Sequence, residues 1–444
     1  MTNPIATAIR GLGLIALYLV VSIGPLAFMF FGSPPAHRPF PVELSAALGF
    51  VGLSLMSLQF VLVGKFQSVG APFGIDMLVR FHKQVSFVAL AFILAHPILL
   101  FVQSATQYLP LLLLGSAPWR ARFGVAAIAV LVVLIALSVW RRWLRMSYEA
   151  WQLSHGLLAI GVVALALAHI DGVGYYTQGL VRQVLFDVLS VATIGLLVWT
   201  RLLRPLARET RRWRVRGVRR EAPETVTLQL QPAGHRGFSF IPGQFAWLSR
   251  FPVALTSHPF SFSSPSEGSA HGQLSITVKA LGRSSHAIAS LRRGKVVYLD
   301  GPHGGFSIDL HEGPGYVFIA AGVGITPVFS MLGTMCVRED PRPVTLLYAN
   351  RDWDSIIFRE QLDELSLYMP SLTLVHVLQE PPEGWTGEVG RVRPKLVLRH
   401  LPRTRPERFQ YFVCGPERMM DSVEQTLTSV GVPADHIHSE RFGI

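Results

Sequence analysis

Two stretches decide how the chain is read: Phe81–Pro97, FHKQVSFVALAFILAHP, and Trp151–Asp171, WQLSHGLLAIGVVALALAHID. Each is apolar, almost free of charge, and carries two histidines fourteen residues apart: His82 and His96 in the first, His155 and His169 in the second. A helix advances about 100° per residue, so this spacing falls about 40° short of four full turns. Both histidines of a stretch therefore project from nearly one face, roughly 21 Å apart along the axis. Two such helices side by side present two His–His pairs, one toward each side of a bilayer. Polar groups are costly in an apolar slab and persist there for a function. Imidazole is an axial ligand of haem iron, so the pattern predicts two haems stacked across a membrane.

Working outward, six apolar segments come close to the roughly 20 residues a bilayer requires. They run over about 9–31, 42–63, 79–102, 123–140, 150–170 and 183–203, the fourth being short enough to extend backward. The first reads as a retained helix, since no small-residue cleavage site follows it. Basic residues orient the set. Lys65, Arg80, Lys83, Arg141, Arg142, Arg145 and the run Arg201, Arg204, Arg208, Arg211, Arg212 and Arg214 lie on one side. Only Arg38, Arg120, Arg122 and Arg182 lie on the other, which is therefore outside. Both termini are then cytoplasmic, in what reads as a bacterial inner (plasma) membrane. His82 pairs with His155 near the cytoplasm and His96 with His169 near the outer face. Arg80 and Arg145 are placed to meet propionates of the inner haem, and Arg120 and Arg122 those of the outer.

Half of the 444 residues are hydrophobic, concentrated in residues 1–204, the expected membrane domain. The net charge of +12 is no nucleic-acid signal, because many arginines mark the ends of membrane segments. Two cysteines, Cys336 and Cys414, exclude a disulfide framework and suit a reducing cytosol. Residues 205–212 form a basic linker. Residues 213–312 show short alternating strands and turns, a small antiparallel barrel. It contains HPFSFSS, His258–Ser264, and LGRSSHAIASL, in which Ser284 and Ser285 open a short helix. Residues 313–444 alternate strands with helices, which predicts a doubly wound parallel sheet. There AAGVGITP sets Gly322 and Gly324 between a buried strand and a helix, where a pyrophosphate can approach the backbone.

Taken together, these motifs resemble, in order and over nearly the whole chain, the ferric reductase and NADPH oxidase superfamily. That resemblance implies a six-helix, two-haem b membrane domain fused to a ferredoxin-reductase-like FAD and NAD(P)H module. It makes His82, His96, His155 and His169 the haem-iron ligands. His258, Pro259, Phe260 and Ser261 would contact FAD, with Ser261 near the flavin N5 edge, although many soluble relatives carry arginine where His258 stands. Arg283, Ser284 and Ser285 resemble the FAD-pyrophosphate loop. Gly322, Gly324, Thr326 and Pro327 match the nucleotide motif, and Cys414, Gly415 and Pro416 the Cys-Gly-Pro beside the nicotinamide. Phe442 resembles the terminal aromatic that covers the flavin, here followed by two further residues. Cys414, Phe442 and Ser261 are thus the side chains expected nearest the reacting groups, Cys414 as a buried neighbour and not a nucleophile.

The expected activity is oxidation of NADPH or NADH inside and reduction of a small acceptor outside. That acceptor is oxygen, giving superoxide, or ferric iron in a chelate. The alternative is electron supply to a periplasmic redox protein or to quinone. The outer segments carry only scattered His37, Glu43 and Asp171, with no chelate cluster. Beyond the lipid bilayer, no obligate protein partner and no nucleic acid is expected. The nucleotide choice stays open between Arg351, suited to a 2′-phosphate, and Asp352, suited to an unphosphorylated ribose, with the resemblance favouring Arg351 and NADPH.

Overall fold

The computed structural model describes residues 4–29, 38–62, 75–112, 117–203, 211–237, 239–252, 257–267 and 272–441. It divides into two compact units, Met1–Ala207 and Arg208–Ile444. The calls on His37, Lys65, Arg204, Arg208, linker residues 205–210 and Phe442 lie outside the described residues.

Six long helices build the first unit: α1 (Pro4–Ile23), α2 (Phe40–Leu62), α3 (Ile75–Gln103), α4 (Trp119–Val139), α5 (Tyr148–Val173) and α6 (Leu180–Val198). All six contain stretches long and apolar enough to cross a bilayer. Many large apolar side chains point outward, among them Leu12, Val102, Leu157 and Val191. In a helix that satisfies its own backbone, such a surface suits lipid. The fourth helix does extend backward, to Trp119. α5 starts where the Ser147 side chain accepts from the Ala150 N–H at 3.2 Å, and stops at Gly174 in the left-handed region at φ 65°. α2 packs along α3 and α4 along α5, with Leu55, Met56, Ala89, Leu131 and Val162 in the shared core.

In the second unit, β1 (Arg211–Ala222), β2 (Thr225–Pro232), β3 (Phe245–Ser249), β4 (His258–Ser261), β5 (Leu274–Lys279) and β6 (Val296–His303) form an antiparallel sheet ordered β4-β3-β6-β1-β2-β5. A bridge between Phe262 and Ile276 joins its two ends and closes it into a barrel. Alternation places Trp213, Val215, Leu228 and Leu230 in the barrel core. The first strand starts earlier than expected, because Arg211 and Arg212 pair with Leu299 and Tyr298 of β6. A seven-residue helix α7 (Arg283–Ala289) follows β5.

The remainder is a parallel sheet of β7 (Tyr316–Ala321), β8 (Val344–Asn350), β9 (Leu372–Leu378), β10 (Glu388–Val389), β11 (Gln410–Cys414) and β12 (Ile437–Ser439), ordered β10-β9-β8-β7-β11-β12. Helices α8 (Ile325–Val337), α9 (Arg359–Tyr368), α10 (Pro394–Arg399) and α11 (Glu417–Ser429) connect the strands. The chain steps from β7 to β8 on one side and returns to β11 on the other. The carboxyl ends of β7 and β11 therefore flank the switch point at which such sheets bind ligands. Barrel and sheet are tied together: Ser330 donates to the Ser264 carbonyl at 2.6 Å, and Arg338 bonds both Glu267 and Asp309 at 2.5 Å.

Beneath β11 and β12 the rings of His311 and His438 stack with centroids 3.6 Å apart. Burial lowers the pKa of both, that of His438 to about 3, with a further contribution from the neighbouring His311. Folded pKa values below the unfolded value of about 6.5 mean that the unfolded chain binds more protons below that pH. This stabilisation is complete above about pH 6.5 and is lost as the pH falls toward the folded values. Urea midpoints of the detergent-solubilised chain, followed by near-ultraviolet circular dichroism, should drop from pH 7 to pH 5. The drop should be shallower in His438→Gln.

Candidate functional site

The membrane unit brings the four histidines together in the two expected pairs. The rings of His82 and His155 lie 6.3 Å apart between centroids, and those of His96 and His169 6.2 Å apart. Two metal–imidazole bonds of about 2 Å, with about 1.1 Å from nitrogen to ring centre on either side, sum to roughly 6 Å. Each pair thus has the separation needed to clamp one iron atom between two ring nitrogens.

Hydrogen bonds choose the nitrogen. Nδ1 of His82 lies 2.6 Å from the Gln59 side-chain oxygen, whose amide nitrogen donates to the Leu55 carbonyl at 3.1 Å. Nδ1 of His96 lies 2.9 Å from the Ser45 carbonyl, and Nδ1 of His169 2.7 Å from the Arg120 carbonyl. A carbonyl only accepts, so these three imidazoles carry their proton on Nδ1. Nδ1 of His155 lies 3.0 Å from Ser138 Oγ. The Ser138 hydroxyl donates to the Leu134 carbonyl at 2.8 Å and accepts from the Trp151 indole at 3.2 Å, so toward His155 its oxygen is again an acceptor. All four rings are held as the Nδ1–H tautomer with Nε2 basic, the form in which imidazole ligates a metal.

Glycines allow the close approach. A Cβ on Gly49 would stand 3.4 Å from His96 Nδ1, and one on Gly124 2.9 Å from His169 Nδ1. Each glycine follows the accepting carbonyl by four residues, Ser45 then Gly49 and Arg120 then Gly124. It therefore leaves open the second lone pair of a carbonyl already bonded within its helix. Sequence reading missed Gln59, Ser138, Ser45 and these glycines. Gln59, buried in an apolar helix, was the available signal. Arg80, Arg120, Arg122 and Arg145 are exposed, and Arg122 Nε donates to the Ala117 carbonyl at 2.7 Å.

In the second unit, His258, Pro259, Phe260 and Ser261 form β4, paired with Leu248, Trp247, Ala246 and Phe245. Ser261 is 3% exposed, and its hydroxyl has no hydrogen-bond partner among the described residues. An orphaned buried hydroxyl is what a bound polar group would satisfy. Arg283, Ser284 and Ser285 do open α7, but Ser285 Oγ accepts from the N–H groups of Leu281 and Gly282 at 2.9 and 2.8 Å. That hydroxyl braces its own loop. Thr326 likewise donates back to the Val323 carbonyl at 2.9 Å and fixes the glycine turn.

Gly322–Gly324 form one 3₁₀ turn between β7 and α8, which carries Thr326 and Pro327 in its buried first turn. Gly322 has φ +54°, with open space where a side chain would be. A Cβ on Gly324 would stand 2.3 Å from the Cys414 carbonyl oxygen, and one on Gly415 3.1 Å from Ala321 Cβ. The glycine turn and the Cys414–Gly415–Pro416 segment are therefore one packed site. Tyr348, missed by sequence reading, donates to the Gly322 carbonyl and accepts from the Ile357 N–H, both at 3.1 Å, and burial raises its pKa. Arg351 and Asp352 do not point apart as an extended segment would require. The chain bends there, their charged groups lie 3.8 Å apart, and Asp352 caps the turn by accepting from the Ser355 N–H at 2.9 Å. Arg351 also reaches Glu380 at 3.4 Å.

Gly324→Ala forces this packed backbone apart, a clash costing about 1–3 kcal/mol. It should weaken nicotinamide-nucleotide binding in titrations of the full-length protein while leaving the membrane helices' far-ultraviolet signal unchanged.

Comparison with known proteins fits this architecture. Residues 48–166 match the model of the ferric reductase like transmembrane component, and residues 318–425 that of the oxidoreductase NAD-binding domain. The chain is similar to NADH-cytochrome b5 reductase 1 of Debaryomyces hansenii, 33% identical over 36% of this chain and 57% of that protein. It is also similar to an NADPH oxidoreductase of Mycobacterium tuberculosis, 31% identical over 54% of this chain and 61% of that protein. The chain thus spans about three fifths of the length of these curated relatives. Among solved structures, the flavohem-like FAD/NAD-binding domain of a Vibrio cholerae nitric oxide dioxygenase aligns over 53% of this chain and 100% of that one, with 26% identity and a TM-score of 0.47. The chain joins a ferric-reductase-like transmembrane component to an NAD-binding oxidoreductase domain.

Proposed function

We propose that the protein carries electrons from cytosolic NAD(P)H, through FAD and two b-type haems, to an acceptor on the far side of the membrane. The observation that carries this reading is the double histidine clamp: two pairs at metal-bridging separation, each ring in the ligating tautomer. FAD accepts a hydride and releases electrons singly, which joins a two-electron donor to one-electron carriers.

This chain's residues supply binding and alignment. His82 with His155, and His96 with His169, hold the two haems. Ser261 offers its orphaned hydroxyl to the flavin, and His258, Pro259 and Phe260 line the same strand. Arg283 and Ser284 face the flavin pyrophosphate, with Ser285 shaping their loop. The open Gly322 backbone admits the nucleotide pyrophosphate, and the contact of Gly324 with Cys414 aligns that turn with the segment beside the nicotinamide. Phe442 takes the covering role that the resemblance implies. The excess of basic residues on one side supports cytoplasmic placement of both termini and of the flavin module. Oxygen, giving superoxide, or a ferric chelate is the small acceptor this reading favours, with a periplasmic redox protein or quinone as the alternative.

Native protein should contain two haems per chain by pyridine haemochrome assay. His82→Ala or His155→Ala should each remove one, and His96→Ala or His169→Ala the other. A single haem in the native protein would sink the reading. For the nucleotide, Arg351 is the residue that would meet a 2′-phosphate, and Glu380 competes for its guanidinium. Arg351→Ala should weaken NADPH binding roughly ten-fold, the discounted effect of a solvated charge pair, and leave NADH nearly unchanged. Glu380→Gln should raise the preference for NADPH. Equal losses for both nucleotides in steady-state kinetics would make Arg351 structural.

A further inference from the structure

The main chain supplies an acceptor to both rings of one histidine pair, and side chains supply acceptors to both rings of the other. His169 donates to the Arg120 main-chain carbonyl, and the His96 N–H is shared between the Ser45 carbonyl and Ser45 Oγ, each at 2.9 Å. His82 and His155 donate to side chains, those of Gln59 and Ser138. We propose that Gln59 and Ser138 are positioning residues that set the reduction potential of the haem held by His82 and His155, and with it the potential step between the two haems. The inference rests on the two-haem reading above.

The physical argument starts at Nδ1. An imidazole that gives its N–H to a good acceptor becomes more basic at Nε2. A more basic ligand stabilises ferric over ferrous iron and lowers the potential, and hydrogen bonding beyond the ligands is one of the protein's controls on haem. Gln59 is well fitted to this role. It is 6% exposed, and its amide nitrogen is anchored on the Leu55 carbonyl, so its oxygen stays aimed at His82. Ser138 is oriented from three directions, by the Leu134 carbonyl, the Trp151 indole and His155. Trp151 is itself held, with its ring 5.3 Å from that of His155 and the Arg141 guanidinium 5.2 Å from its ring centre. The Gln59 bond, at 2.6 Å, is shorter than the Ser138 bond, at 3.0 Å, and a carbonyl accepts more strongly than a hydroxyl shared between two donors. Gln59 is thus the stronger control. In the other pair each ring already has a main-chain acceptor, and Ser45 Oγ only shares the His96 N–H with the Ser45 carbonyl.

The test is a spectroelectrochemical titration of the full-length, haem-loaded protein in detergent, with haem counted in each sample. Gln59→Leu and Ser138→Ala should each move the same one of two waves to higher potential, Gln59→Leu by more, and leave the other wave in place. Ser138→Thr, which keeps the hydroxyl, should restore the native value. Ser138→Ala removes a single oxygen atom and keeps the test open if Gln59→Leu fails to assemble. Waves that stay in place, waves that move together, or a Ser138→Thr shift equal to that of Ser138→Ala would each overturn the inference while two haems are still counted. Fewer than two haems in the native sample would instead overturn the reading beneath it.

Discussion

An imidazole inside an apolar bundle has one N–H to give and one lone pair to offer, and lipid supplies a partner for neither. Everything in the membrane unit follows from satisfying that pair of demands four times. Each N–H goes to a neighbouring helix, from α3 to α2 and from α5 to α4. The rings then face each other in pairs, His82 with His155 and His96 with His169. The helix pairs α2/α3 and α4/α5 are therefore the units of the bundle, each a histidine helix and its brace. The same hydrogen bonds that remove the cost of a buried polar group also select the tautomer, so stability and ligand geometry have one origin.

The second unit answers a different constraint, the close approach of backbone to backbone. β7 and β11 are adjacent and parallel, so their carboxyl ends arrive together at the switch point. Gly324 brings the turn after β7 against the Cys414 carbonyl, and no larger residue could stand there. Tyr348 reaches from β8 to hold the same turn from the other side. The ties from Ser330 and Arg338 to the barrel then fix the glycine turn relative to β4 and its buried Ser261. The electron transfer proposed above would need that fixed relation, since transfer between bound groups depends on orientation more than on any acid or base.

Much of this was legible in the chain because it depends on periodicity. The fourteen-residue spacing sets two histidines on one helix face whatever surrounds them, and alternating strands announce a barrel. What escaped depends on how elements meet. Gln59 and Ser138 become acceptors only when the register of α2 against α3, and of α4 against α5, is known. Ser285 and Thr326 carry the residue types of a phosphate loop, yet their hydroxyls close the local turns, a competition that short polar side chains often resolve toward the backbone. Arg351 and Asp352 would point to opposite sides in an extended segment. The bend after Asn350 puts their charges on the same side.

The difference between the two braces has a simple cause in the sequence. A helical carbonyl at position i is bonded to the N–H at i+4, and the side chain there crowds its remaining lone pair. Glycine at that position removes the obstruction. It stands four residues after Ser45 and after Arg120, and there the histidines reach the main chain. In one pair His169 rests on a main-chain carbonyl and His96 on the Ser45 carbonyl and hydroxyl together. The other is held by two side chains that can vary while the helices stay intact.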